Sequence, residues 1–120
     1  MSRALLVVDH GSREPEAAAA LEKLAAELRA LRPGLRVYVA HLEQAPPSIA
    51  EALAACAADG VSELFVHPLF LAPGRHAARD LPRALAAAAA THPGLRVRVT
   101  PALGSAPGIA ALVLATLPAE

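Results

Sequence analysis

The sequence predicts an α/β domain in which helices flank a four-stranded parallel sheet of strand order 2-1-3-4. Three observations predict it. Alanine, the strongest helix former, concentrates in three blocks at 17–30, 50–58 and 84–90. Short apolar runs at 4–8, 35–40, 63–67 and 95–100 stand apart from these blocks. The runs are read as continuous rather than alternating, which predicts strands buried on both faces. The two kinds of segment follow one another as strand then helix, four times along the chain.

The punctuation places the elements in order. Strand one is the run at 4–8, and Pro15 stands where the first helical turn begins. Pro33-Gly34 ends that helix before strand two at 35–40. Ser48 and Glu51 have the spacing of a capping box at the start of the second helix. After strand three at 63–67, Asp80 followed by Pro82 reads as the N-cap and first turn of the third helix. That reading leaves 74–79 as an ordered loop. Pro93-Gly94 and Pro107 repeat the punctuation around strand four.

An internal repeat appears at an offset of sixty. Pro33-Gly34-Leu35-Arg36-Val37 recurs as Pro93-Gly94-Leu95-Arg96-Val97, and Pro47, Ile49 and Ala50 match Pro107, Ile109 and Ala110. The expectation is a single domain over 1–120 made of two βαβα halves, 1–60 and 61–120.

Composition narrows the function classes. The 120 residues are 55% hydrophobic, and eleven basic residues cancel eleven acidic ones. That length suits one domain, and zero net charge argues against a nucleic-acid partner. The single cysteine, Cys56, cannot close an internal disulfide, and its place among helical alanines marks a small buried hydrophobe. The first apolar run is too short for a secretory signal, and no stretch approaches the ~20 apolar residues of a membrane span. A cytoplasmic protein with no membrane partner is expected.

In open parallel sheets, ligands bind beyond the carboxyl ends of the strands, where the strand order reverses. For order 2-1-3-4 that point lies between strands one and three. Strand one ends in Asp9-His10-Gly11-Ser12-Arg13, and strand three ends in Pro68-Leu69-Phe70-Leu71-Ala72-Pro73-Gly74-Arg75-His76. Strand two ends nearby in His41-Leu42-Glu43. Two imidazoles and a carboxylate at one crevice have the chemistry of an open divalent-metal site. His41 is a further candidate for that site, whereas His67 is expected to face the sheet or a helix. Phe65 and Phe70 are expected in the core.

These residues carry a family resemblance. Leu5-Leu6-Val7-Val8-Asp9-His10-Gly11-Ser12-Arg13, Leu42-Glu43 with Pro47-Ser48, and Pro68-Leu69-Phe70-Leu71-Ala72-Pro73-Gly74-Arg75-His76 with Asp80 resemble the small sirohydrochlorin cobaltochelatases of the CbiX type. Pro101-Ala102-Leu103-Gly104 resembles the last strand-end motif of the same family. The resemblance implies ATP-independent insertion of a divalent metal into sirohydrochlorin, an acidic tetrapyrrole of cobalamin and siroheme biosynthesis. It carries the metal ligands onto His10 and His76, with Glu43 as a third catalytic residue.

The chemistry suits those residue types. Neutral imidazoles hold Co²⁺, Fe²⁺ or Ni²⁺ loosely enough for ring nitrogens to replace water one at a time. Arg13, Arg75 and the helix N–H groups near Ser12 suit the substrate's carboxylates. Leu71 and Ala72 supply apolar wall in place of an aromatic platform, and Gly74 lies in the same substrate-binding loop. No cofactor is expected beyond the substrate metal, with Co²⁺ preferred and ferrochelatase or nickelochelatase activity as alternatives. A homodimer is expected, because larger relatives carry two such domains in one chain. Two other readings compete: a non-catalytic metal or tetrapyrrole carrier, and a histidine phosphatase, which Asp9 disfavours by repelling phosphate.

Overall fold

Continuous apolar runs make strands that must be covered on both faces, as the inner strands are, whereas the last run alternates arginine with valine and forms a mostly exposed edge strand, correcting the reading of all four runs as doubly buried. In the computed structural model, which describes residues 2–119, the regular elements alternate as expected. They are β1 (Arg3–Asp9), α1 (Pro15–Leu31), β2 (Arg36–His41), α2 (Ile49–Ala58), β3 (Glu63–Pro68), α3 (Arg75–Ala89) and β4 (Arg96–Val99). A 3-10 turn, Leu103–Ser105, then leads into α4 (Ile109–Leu114). The strands form one parallel sheet in the order β2-β1-β3-β4, as the sequence predicts. Corresponding elements begin sixty residues apart: Arg3 and Glu63, Pro15 and Arg75, Arg36 and Arg96, Ile49 and Ile109.

The crossovers decide which helix covers which face. The chain steps one way from β1 to β2, then the other way from β2 to β3 and from β3 to β4. Right-handed crossovers therefore put α1 on one face and both α2 and α3 on the other. Leu6, Val8, Leu64 and Val66 point to the second face and pack with Leu53, Cys56, Leu81 and Leu85. Val7, Val37 and Val39 point to the first and pack with Leu21 and Ala25 of α1.

Local signals account for the helix ends. Pro15 occupies the first turn of α1. The Ser48 hydroxyl accepts from the Glu51 N–H at 3.1 Å while the Glu51 carboxylate accepts from the Ser48 N–H at 2.9 Å, completing the capping box of α2.

The start of α3 corrects the sequence reading. The helix begins at Arg75 after Gly74, so 75–79 is helical, not loop, and Pro82 lies inside it. Proline there removes one intrahelical bond at a cost of about 3 kcal/mol. Burial of Ala77, Leu81, Leu85 and Ala88 along one stripe outweighs that cost, at about 1.5–3 kcal/mol per large side chain. The Pro82 ring itself is exposed.

One other expectation also changes. Phe65 is half-buried under the Arg3 guanidinium, 5.5 Å from its ring centre, rather than in the core. The alanine-bearing α4 buries none of its residues and leaves Leu112, Val113 and Leu114 open.

Candidate functional site

The site grows out of the carboxyl ends of β1 and β3, neighbours at the centre of the sheet. Asp9 and His41 are register partners at the ends of β1 and β2. His41 is 3% exposed and its Nδ1 donates to Asp9 Oδ1 at 2.6 Å, a pair that pins the two strand ends together. The sequence leaves His41 open as a member of the site; the structure instead occupies its Nδ1 beneath the site. Aligning the two strand ends in register would have revealed this pair.

Just beyond, the chain turns outward and exposes His10. The imidazole lies against Phe70 with ring centroids 4.4 Å apart and planes tilted by 33°. Phe70 is 3% exposed, so its ring is a fixed wall of the core on one side and a support for His10 on the other. The sequence foresees the burial of Phe70 but not its contact with His10.

Gly11 follows at φ 92°, and a Cβ there would fall 1.7 Å from the Glu43 carbonyl oxygen. Only glycine permits both this backbone and this approach. The crossing holds the loop after β1 against the loop after β2, where the Glu43 N–H donates to the His10 carbonyl at 3.1 Å. Arg13 Nε donates to Gln44 Oε1 at 3.0 Å, and Gln44 sits at φ 76°, an uncommon backbone for a residue with a side chain. The Ser12 hydroxyl accepts from the Glu14 N–H at 3.0 Å, ordering the loop ahead of α1 rather than capping the helix.

The loop after β3 supplies the opposite wall. Leu71, Ala72, Gly74 and Arg75 are all exposed, Leu71 by 76%. His76 is exposed on the first turn of α3. The structure thus joins His10, Glu43 and Arg13 by direct contact between two loops, and links His10 to the third loop through Phe70. His76, Arg75 and Leu71 stand on that third loop and the helix it opens. Among the described residues no three histidine, cysteine, aspartate or glutamate side chains converge tightly enough to cage a metal.

Donor chemistry at this edge is nitrogen and oxygen. Burial pushes the Cys56 thiol up to about 11, so it stays protonated near neutral pH and offers no thiolate. A cavity of about 510 Å³ lies on the α1 face and is lined by neither His10 nor His76. Its lining includes Pro101, Ala102 and Leu103 of the last strand-end motif.

Fold and site together define an open-sheet α/β protein whose candidate site lies at the β1/β3 switch point. The chain belongs to the CbiX family, whose model matches residues 4–119. It is similar to the chloroplastic sirohydrochlorin ferrochelatase of Arabidopsis thaliana, 37% identical over 100 residues covering 83% of this chain and 44% of that protein. It is also similar to the sirohydrochlorin cobaltochelatase of Methanopyrus kandleri, 37% identical over 82 residues covering 68% of this chain and 57% of the other. Among solved structures, the sirohydrochlorin chelatase SirB from Bacillus subtilis subspecies spizizenii, in complex with cobalt, superposes with a TM-score of 0.84 at 28% identity. That match covers 96% of this chain and 49% of SirB. The chain spans about half the length of the curated relatives it matches.

Proposed function

We propose that this chain inserts a divalent metal into sirohydrochlorin without ATP, that cobalt is its metal, and that it works as a homodimer in the cytoplasm. One observation carries the reading: an exposed imidazole, His10, is fixed against buried Phe70 at the switch point of the sheet. A ligand held in position but open to solvent suits a metal that must be handed on. Family membership and similarity to proteins named as cobalto- and ferrochelatases support the same reaction class.

In this mechanism His10 and His76 hold the incoming ion and leave its other positions to water. The macrocycle rests against Leu71 and Ala72, and its carboxylates meet Arg13, Arg75 and the backbone around Ser12 and Gly74. Ring nitrogens replace water and then imidazole on the ion. Two pyrrole N–H bonds break as two metal–nitrogen bonds form, so two protons must leave. Glu43 and the released imidazole are the nearby acceptors.

Loss of free-base absorption, followed with Co²⁺, Fe²⁺ and Ni²⁺ against the spontaneous rate, tests the proposal. Acceleration with Co²⁺ above the other two is the expected result. Acceleration with Fe²⁺ or Ni²⁺ instead would keep the reaction and replace the metal. Binding of Co²⁺ without acceleration would make the protein a carrier.

A further inference from the structure

The sheet order has a two-fold pattern. An axis parallel to the strands, between β1 and β3, exchanges β1 with β3 and β2 with β4, and it exchanges the faces of the sheet. It carries α1 on one face to α3 on the other. By the same operation α2, seated beside α3 over β1 and β2, corresponds to a seat beside α1 over β3 and β4. That seat is the cavity of about 510 Å³, lined by Leu5 and Val7 of β1, Leu24 and Leu28 of α1, and Leu69 beyond β3.

The helix that corresponds to α2 is α4, which starts sixty residues later. The buried stripe of α2 is Ile49, Ala52, Leu53 and Cys56. At the same offset α4 and the residues after it carry Ile109, Leu112, Val113 and Thr116. The stripe is present, yet α4 makes its only substantial contacts with the 3-10 turn before it and buries no residue. Leu112, Val113, Leu114 and Leu117 are 62–66% exposed. The chain is correspondingly elongated, 54 × 33 × 28 Å with a radius of gyration of 14.8 Å, against about 13.6 Å for a compact domain of this length.

One chain therefore holds an apolar helix without a seat and a helix seat without a helix. We infer that two copies of this chain exchange α4, each laying the Leu112–Val113 face of its helix into the groove between α1 and β3 of the other. A second copy fits better than self-seating. Leu103, Ser105, Ala106 and Pro107, which lead into α4, already wall the groove and leave its floor free of their own helix. Reciprocal exchange seats both helices and closes under two-fold symmetry. It also acts on the site: Gly104 packs so closely that a Cβ there would fall 1.5 Å from the Leu71 carbonyl oxygen, and its N–H donates to the Phe70 carbonyl at 3.0 Å. The segment that α4 would hold in place thus braces the loop that supports His10.

This inference rests on the homodimer proposed above and specifies its contact. Sedimentation of wild-type protein at about 50 µM should give twice the 12.3 kDa chain mass. The double variant Leu112→Asp and Val113→Asp should sediment as a monomer with unchanged helicity, because both residues are exposed in the single chain. Two singly substituted chains, Leu28→Cys and Val113→Cys, mixed under oxidising conditions should give a disulfide-linked dimer, with buried Cys56 out of reach. Wild-type protein that stays monomeric would sink both the dimer and the exchange. A wild-type dimer that survives the aspartates and yields no cross-link would overturn the exchange alone. A chain carrying both cysteines that cross-links within a monomer would seat α4 on its own groove and also overturn it.

Discussion

The two faces of this sheet are built from the same strands and end up unlike. Under α2 and α3, seventeen buried residues form one continuous core. Under α1 alone, five do, and half-buried leucines border an open groove. The strands do not cause this difference, since Leu5 and Val7 are as apolar as Leu6 and Val8. Helix placement does: one face has two helices on it and the other has one. A continuous apolar strand therefore tells how many faces need covering, and only the helices tell which face is covered.

Matched truncations on the two faces test that contrast most strongly. Leu53 is fully buried under α2, so Leu53→Ala should lose about 3 kcal/mol of unfolding free energy in urea. Leu24, half-buried at the rim of the groove, should lose less than about 1 kcal/mol when cut to alanine in the monomeric protein. Equal losses would mean that the open face is covered in solution.

The loop crossings sharpen the comparison between the two halves. Gly11→Ala adds a Cβ onto the Glu43 carbonyl and also forces φ 92° on a residue with a side chain. Gly104→Ala makes the equivalent clash with the Leu71 carbonyl, without the left-handed backbone. Gly11→Ala should lower stability by at least about 2 kcal/mol, and Gly104→Ala by about 1 kcal/mol less than that. A reversed order, measured by thermal melting at equal protein concentration, would place the tighter crossing in the second half.

The histidines carry the same question into the site. His10 belongs to the first half and His76 to the second, and the proposed transfer uses both. Replacing either by alanine should cut the metallation rate at least tenfold, about 1.4 kcal/mol of barrier, with the fold unchanged by circular dichroism. Wild-type rates in both variants would remove them from the reaction. A loss in one alone would confine the metal to that half.

Most of the fold was legible because its signals are local. Pro15, the Ser48–Glu51 box and the Pro33-Gly34 stop each act within a few residues, and each element they bound is present. The start of α3 was misread for the opposite reason: Asp80-Pro82 is a good local start signal that a buried stripe from Ala77 to Ala88 overrides. At the site, sequence placed His10, Glu43 and His76 at one sheet edge. It did not foresee Phe70 beneath the His10 ring, or Asp9 bonded to His41, because those contacts depend on strand register and on which way a strand-end ring turns.

The smallest effect belongs to His67, the one histidine on the open face. Its Nδ1 lies 3.0 Å from Thr100 Oγ1, and the ring lines the groove. Burial holds its pKa below the ordinary 6.5, because the charged ring loses solvent there. The unfolded chain therefore binds the proton at a pH where the folded chain does not. Stability is then complete above about pH 6.5 and declines as the pH falls from there toward the folded-state value, where the loss levels off. Denaturation midpoints at pH 7.5 and 5.5 should differ more for the wild type than for His67→Gln, which cannot titrate. A helix seated over the groove buries this ring further, so the acid-sensitive difference should be larger in a dimer than in the monomeric aspartate variant. Identical pH dependence in wild type and His67→Gln would show that the ring is as well solvated as in the unfolded chain.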